Sequence, residues 1–411
     1  MNDSFIIKHL DKHLRYRQTY KTEEDVFIEK KFREFFVSNN IPYINEVAFI
    51  RSTKCSTYIC VENDKCFFVW DKNYCDILGM LIELYVEAVH DYPDEMLLEK
   101  HIKEICGVFF NYLSIKFSHY PVFSKLLFEC GKALGMSQDR LDELKERVSA
   151  SAYLKICKEF IVLHESVHVI NSYQKESFNQ MAEKFCEYII ANLNNITSQI
   201  NHSMGYIKED TIKDVEKKIG EMLNKRNEDI MDEIVADYQT LIVLAGWLER
   251  EDCFEESSTM GVVYFIISRF ITFNTLMSFI NSIWNQLFSY VKKIKKYNSD
   301  FKINVNATTE NFFSLVRNWT IQSNLDDCVK KRSEESNNEK AYKEYIDFRK
   351  ANEEVHDFLL NEIYKSFRKN FLNSILINEL LSRASLLEQC AKEMYLAEEN
   401  SDMFVRDIID F

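Results

Sequence analysis

Apolar residues recur along most of this chain every three or four positions, the spacing of one face of a helix. The rhythm predicts a first helix over 5–40, ending near Ser38-Asn39-Asn40 ahead of Pro42. It gives way once, over 45–71. There Val47–Arg51, Thr57–Val61 and Cys66–Trp70 are rich in β-branched and aromatic residues, and Glu62-Asn63-Asp64-Lys65 fits a hairpin turn. From Ile77 the helical spacing returns. It predicts helices over 76–90, 94–116, 121–134, 138–148, 150–173, 176–198 and 208–248, with Gly220 as the point where the last could break. Ser323–Lys340 is polar and without apolar rhythm, which predicts a loop or linker. Residues 341–411 then read as a helical C-terminal unit, with apolar positions at Phe358, Leu359, Ile363, Phe367, Phe371 and Ile375. The expected class is mainly α with a small antiparallel β-sheet, an α+β fold.

Composition strengthens the helical reading. Only 8 glycines and 3 prolines stand in 411 residues, so few positions can stop a helix. A chain of this length can bury a large core, and the pattern divides it into a region over 1–250, an apolar helical region over 251–322 and the unit over 341–411. Met260–Phe288 is long and apolar enough to cross a bilayer, but Arg269 and several Asn, Ser and Thr side chains load it with polar groups. Its apolar set also keeps helical spacing, so a buried helix is expected there and membrane insertion is disfavoured.

The chemistry lies in His164-Glu165-Ser166-Val167-His168, an H-E-x-x-H run inside predicted helix. Positions i and i+4 share a helix face, so both imidazoles can reach one metal ion, with Glu165 beside it to take a proton from water. Cys157, Phe160, Ile161, His164 and His168 form one stripe, so the histidines point where the apolar side chains point. A catalytic zinc takes three protein ligands and keeps one position open. The best third ligand is Glu233 in Met231-Asp232-Glu233-Ile234-Val235-Ala236-Asp237-Tyr238, 65 residues after His168. Glu233 and Asp237 are one turn apart on the side of Ile230, Ile234 and Leu241, whereas surface acids would lie opposite it. Ala236 is small enough to let two helices approach. Asp237 can accept the free ring N–H of a ligand histidine and fix its tautomer.

HESVH at 164–168 followed by EIVAD at 233–237 resembles the gluzincin metallopeptidases, which take two histidines from one helix and a glutamate from a second. The resemblance implies a zincin-like catalytic core within 1–250, Zn2+ held by His164, His168 and Glu233, Glu165 as general base and Asp237 as a histidine orienter. It covers about a quarter of the chain and is silent on substrate. Val169-Ile170-Asn171-Ser172 after the motif lacks the glycine and third histidine of the metzincin pattern, which favours a glutamate ligand. More loosely, the helical, glycine-poor character is similar to that of bacterial phage-exclusion peptidases.

The remaining features limit the setting. A net charge of −14 with no dominant basic stripe argues against general nucleic-acid binding. Eleven cysteines without a C-x-x-C pair, several in apolar stretches, suggest reduced thiols in the cytoplasm; Cys55, Cys60, Cys66 and Cys75 read as strand-core residues. Met1-Asn2-Asp3-Ser4 lacks the basic flank of a secretion signal. The expected activity is peptide-bond hydrolysis in a protein or peptide substrate lying extended against a sheet edge, for which Cys66–Trp70 and Val47–Arg51 are candidates, equally readable as inner strands. The oxyanion partner is open among His202, Tyr238, Tyr264 and His356. Large helical flanks suggest control by a regulatory protein partner and a role as a defence or toxin-like effector. The competing class is a helical interaction scaffold whose metal site is structural or degenerate.

Overall fold

The computed structural model describes residues 16–41, 44–62, 65–150, 152–204, 228–250 and 339–373, with Leu10 and isolated positions over 213–221, 316–335 and 389–393. In chain order the elements are β1 (Tyr16–Gln18), α1 (Glu23–Ser38), β2 (Ile44–Ser52), β3 (Tyr58–Glu62), β4 (Lys65–Asp71), α2 (Lys72–His90), α3 (Glu95–Lys116) and α4 (Pro121–Ala133). They continue with α5 (Gln138–Ala150), α6 (Ala152–Tyr173), α7 (Lys175–Met204), α8 (Glu228–Arg250) and α9 (Glu339–Asn373). Helices dominate around one small sheet, an α+β fold.

The sheet is mixed, not antiparallel throughout as the sequence pattern predicts. Its order is β1-β2-β4-β3, with β2 and β4 parallel and the outer pairs antiparallel. The central place goes to the most apolar strand. Cys66 to Asp71 are all buried, and a strand covered on both faces reads as a continuous apolar run. The hairpin closed by the Glu62–Lys65 pair brings β4 back inside β3, so β3 becomes an edge and β4 meets β2 in parallel. Alternation then divides the side chains. Phe68 and Trp70 enter the main core, where Phe32 of α1 stacks on Phe68 at 5.0 Å, while Phe67, Val69, Ile50 and Leu10 form a second cluster on the opposite face. Cys66–Trp70 and Val47–Arg51 are thus inner strands; the edges are β1 and β3.

The predicted helix over 5–40 is also corrected. Tyr16–Gln18 pairs with Ile50–Ser52, and α1 starts only after Thr22. Thr22 Oγ1 accepts from the Asp25 amide and the Asp25 carboxylate accepts from the Thr22 amide, a reciprocal cap that sets a hard helix start. Further on, α2 begins at Asp71, whose carboxylate accepts from the amides of Asn73 and Ser52 and from the Ser52 hydroxyl. The later helix boundaries fall within a few residues of those predicted, up to α7, which runs six residues further to Met204.

Ser323–Lys340 differs from the predicted linker: its described positions are helical, with Val329 and Ser333 buried. Tyr345 Oη of α9 donates to Asp326, and Arg349 pairs with the same carboxylate. Among its described positions only Val329 and Ser333 are buried, too few to leave an apolar rhythm. Tyr345, Leu359 and Ile363 of α9 share the main buried cluster with residues of α1 to α8. Met260–Phe288 lies outside the described residues, and among those described no helix is long and apolar enough to cross a membrane.

Glycines let α3 and α4 approach closely. A Cβ on Gly107 of α3 would stand 2.8 Å from Met136 Cβ and 3.1 Å from the Gly131 carbonyl oxygen, and one on Gly131 of α4 would stand 3.1 Å from the Gly107 oxygen. Gly107→Ala is therefore expected to destabilise. Overpacking costs about 1–3 kcal/mol, which outweighs the gain of about 1 kcal/mol in helix propensity. Urea unfolding, with a Gly→Ala change at the more open Gly220 as control, reads the difference.

Candidate metal centre

The centre forms where α6 meets α8. Leu154, Cys157, Phe160, Val162, Leu163 and Val167 bury α6 on several sides, so its imidazoles are carried inward with it. Met231, Ile234, Val235 and Leu241 do the same for α8, and fully buried Ala236 lets the helices come together. His164, His168 and Glu233 converge as their spacing predicts. The two Nε2 atoms are 3.1 Å apart, His164 Nε2 is 3.4 Å from Glu233 Oε2, and His168 Nε2 is 3.5 Å from Glu233 Oε1.

These separations fit a metal ion. Zinc bonds of about 2.0–2.1 Å in a tetrahedron place ligand atoms roughly 3.3 Å apart. The three ligand atoms lie close together, with the imidazole planes at 89°. The set of two imidazoles and one carboxylate is the donor chemistry of catalytic zinc.

Each imidazole has its own carboxylate behind it. His168 Nδ1 is 2.6 Å from Asp232 Oδ2, and Asn171 Nδ2 donates to Asp232 Oδ1. His164 Nδ1 is 3.0 Å from Asp237 Oδ1, a close charge contact without an aligned hydrogen bond. Burial alone would lower the pKa of His164, but Asp237 and Glu233 raise it to about 10. Burial would raise the Glu233 carboxyl, yet Arg317 and His164 hold it well below the usual carboxylate range. Glu165 behaves differently. Loss of water pushes its carboxyl up against the pull of His164 and His168, and its Oε2 accepts from the Ile59 amide of edge strand β3 at 3.2 Å. The acid beside the donor triad is thus tied to the sheet edge.

Two members of the constellation were not found by sequence reasoning. Asp232 stands next to Glu233, in a motif where the i, i+4 pair drew all the attention. Arg317 comes from 80 residues beyond Asp237. Its signal was that it is the only charged residue between Glu310 and Asp326 in a chain where charge is otherwise frequent. Among the candidate oxyanion partners, the Tyr238 ring packs edge-on to Phe185 at 5.1 Å; the side chains of His202 and His356, and all of Tyr264, lie outside the described residues.

A second group of ligand-type atoms, Glu87, His101 and Glu104, is already neutralised. Arg140 Nη2 is 2.6 Å from Glu87 and 3.3 Å from Glu104, Arg147 also pairs with Glu87, and His101 Nε2 is 2.6 Å from Asp91. It ties α2, α3 and α5 together as an ion-pair network, with Arg140 bridging Glu87 and Glu104.

No family model, curated protein or solved structure matches this chain.

Metal analysis of the purified protein is expected to give about one equivalent of zinc, and none for His164→Ala. Asp232→Asn, which removes the carboxylate behind His168, is expected to weaken zinc binding roughly 10- to 100-fold, read by competition with a chelator.

Proposed function

We propose that this chain is a zinc-dependent peptidase that hydrolyses peptide bonds in a protein substrate. The observation that carries the reading is the convergence of His164, His168 and Glu233 at tetrahedral separations, with Glu165 between the donor triad and a sheet edge. A zinc ion held by those three residues would supply Lewis acidity, polarising a carbonyl and making water acidic near neutral pH.

The chain's own groups divide the remaining work. Glu165 takes the proton from the attacking water and delivers it to the leaving amine nitrogen. Asp232 and Asp237 hold the imidazoles in register. Strand β3 supports the binding of an extended substrate. In its pairing with β4 the residues opposite Lys65, Phe67 and Val69 are Glu62, Cys60 and Tyr58, so the two-residue hairpin directs the main-chain groups of Ile59 and Val61 to the free side. The Ile59 amide already reaches Glu165 there, which puts the edge next to the proposed base. Main-chain pairing along that edge binds many sequences, and side-chain pockets select among them.

The buried free thiols of Cys55, Cys66, Cys75, Cys106, Cys130 and Cys157 support a cytoplasmic protein, where thiols stay reduced. The helices surrounding the small centre support an effector that cuts a cellular protein under the control of a protein partner.

Glu165→Gln is the direct test. It keeps the size of the side chain and the zinc ligands while removing the base. Zinc content is expected to stay at the wild-type level while cleavage falls by about 10²–10⁴-fold. Comparing the proteomes of cells expressing each form identifies the cleaved protein. Equal biological activity of the two forms would instead favour the scaffold reading.

A further inference from the structure

Arg317 is the one guanidinium among the described residues of this centre, and the metal reading alone gives it no task. It faces two carboxylates at once. Nε and Nη2 bind the two oxygens of Asp237 at 2.8 and 2.9 Å, and Nη1 binds Glu233 Oε2 at 2.8 Å. Asp237 is fully buried, and Arg317 is mostly so. The two-pronged grip on Asp237 uses the planar fork, leaving the third nitrogen aimed at a fixed point. That point is one oxygen of the proposed metal ligand.

We infer that Arg317 is a positioning residue that occupies Glu233 Oε2 and so restricts Glu233 to binding the metal through a single oxygen, Oε1. The inference rests on the zinc reading above. A glutamate can bind a metal through one oxygen or two, and here both oxygens lie within 3.5 Å of an imidazole Nε2. Nothing in the histidines prefers one mode. Arg317 does, because its ion pair at 2.8 Å draws on Oε2 and not on Oε1. Single-oxygen binding preserves the open position a hydrolase needs. It also withdraws charge from the ligand, leaving the ion a stronger Lewis acid.

A cation so near a metal site has a cost. Guanidinium and metal repel, so Arg317 is expected to weaken metal affinity while improving the site for chemistry. A residue that merely held the helices together would do the reverse, since its loss would loosen the ligands and release the metal. The two roles therefore differ in sign.

The experiment uses the full-length protein loaded with Co2+, whose visible absorption is intense in four-coordinate sites and weak in five- or six-coordinate ones. Zinc affinity is measured in parallel by chelator competition. Wild type is expected to show the intense four-coordinate spectrum. Arg317→Met is expected to bind zinc as tightly as wild type or more tightly, with loss of visible cobalt intensity as the second oxygen of Glu233 binds. Arg317→Lys keeps the charge but cannot fork to both carboxylates. It guards against misfolding of the Met variant around a buried, unpaired Asp237 and is expected to lose part of the intensity.

Variant spectra identical to wild type would overturn the inference, as would a weak spectrum in wild type itself. Loss of metal from folded Arg317→Met or Arg317→Lys would also overturn it, in favour of a holding role. If wild type takes up neither zinc nor cobalt, the zinc reading fails as well, an outcome distinct from each of these.

Discussion

The arrangement of the centre follows from charge concentrated at one helix crossing. Four carboxylates, those of Glu165, Asp232, Glu233 and Asp237, crowd two imidazoles, with one guanidinium among them. Carboxylates are expensive to take out of water unless they are paired. Each of these has a partner: Glu165 an amide, Asp232 and Asp237 an imidazole, Glu233 and Asp237 the guanidinium. The surrounding apolar residues of α6 and α8 therefore do more than pack. They take Asp237 and His164 out of water, where an unpaired charge would be costly.

The same economy of turns appears through the molecule. With few glycines available, two of them face each other between α3 and α4, and helix starts are defined by side-chain caps at Thr22, Asp71 and Asp94. The start of α4 depends on Glu393, which accepts from the amides of Val122 and Phe123 across more than 250 residues. The ion-pair network around His101 is a second concentration of charge. The two clusters resemble each other in composition, and in each an arginine pairs with two of the acids, Arg317 with Glu233 and Asp237 and Arg140 with Glu87 and Glu104.

What could be read from the sequence had local causes. Helical periodicity gave α2 to α7 closely, because caps and apolar stripes lie within each segment. The pairing of HESVH with Glu233 was legible because a stripe of apolar residues placed both on inward faces. The misreadings have non-local causes. Tyr16–Gln18 is a strand because β2 offers an open edge, which no property of those three residues reveals. The parallel pairing of β2 with β4 depends on which hairpin arm goes to the middle, a choice made by burial of Cys66 to Asp71 on both faces. Among the described helical positions within Ser323–Lys340 only Val329 and Ser333 are buried, too few to announce an inward face. Arg317 was missed because its meaning lies in two carboxylates that the chain has already laid down far upstream.

That distance has a consequence for synthesis. Translation proceeds from the amino end at about 5–20 residues per second. Arg317 follows Asp237 by 80 residues, so the acids of α8 leave the ribosome roughly 4–16 s before the guanidinium that neutralises them. During that interval the nascent α6–α8 pair carries its acids without Arg317, and the crossing described above cannot reach its final charge balance until Arg317 itself emerges.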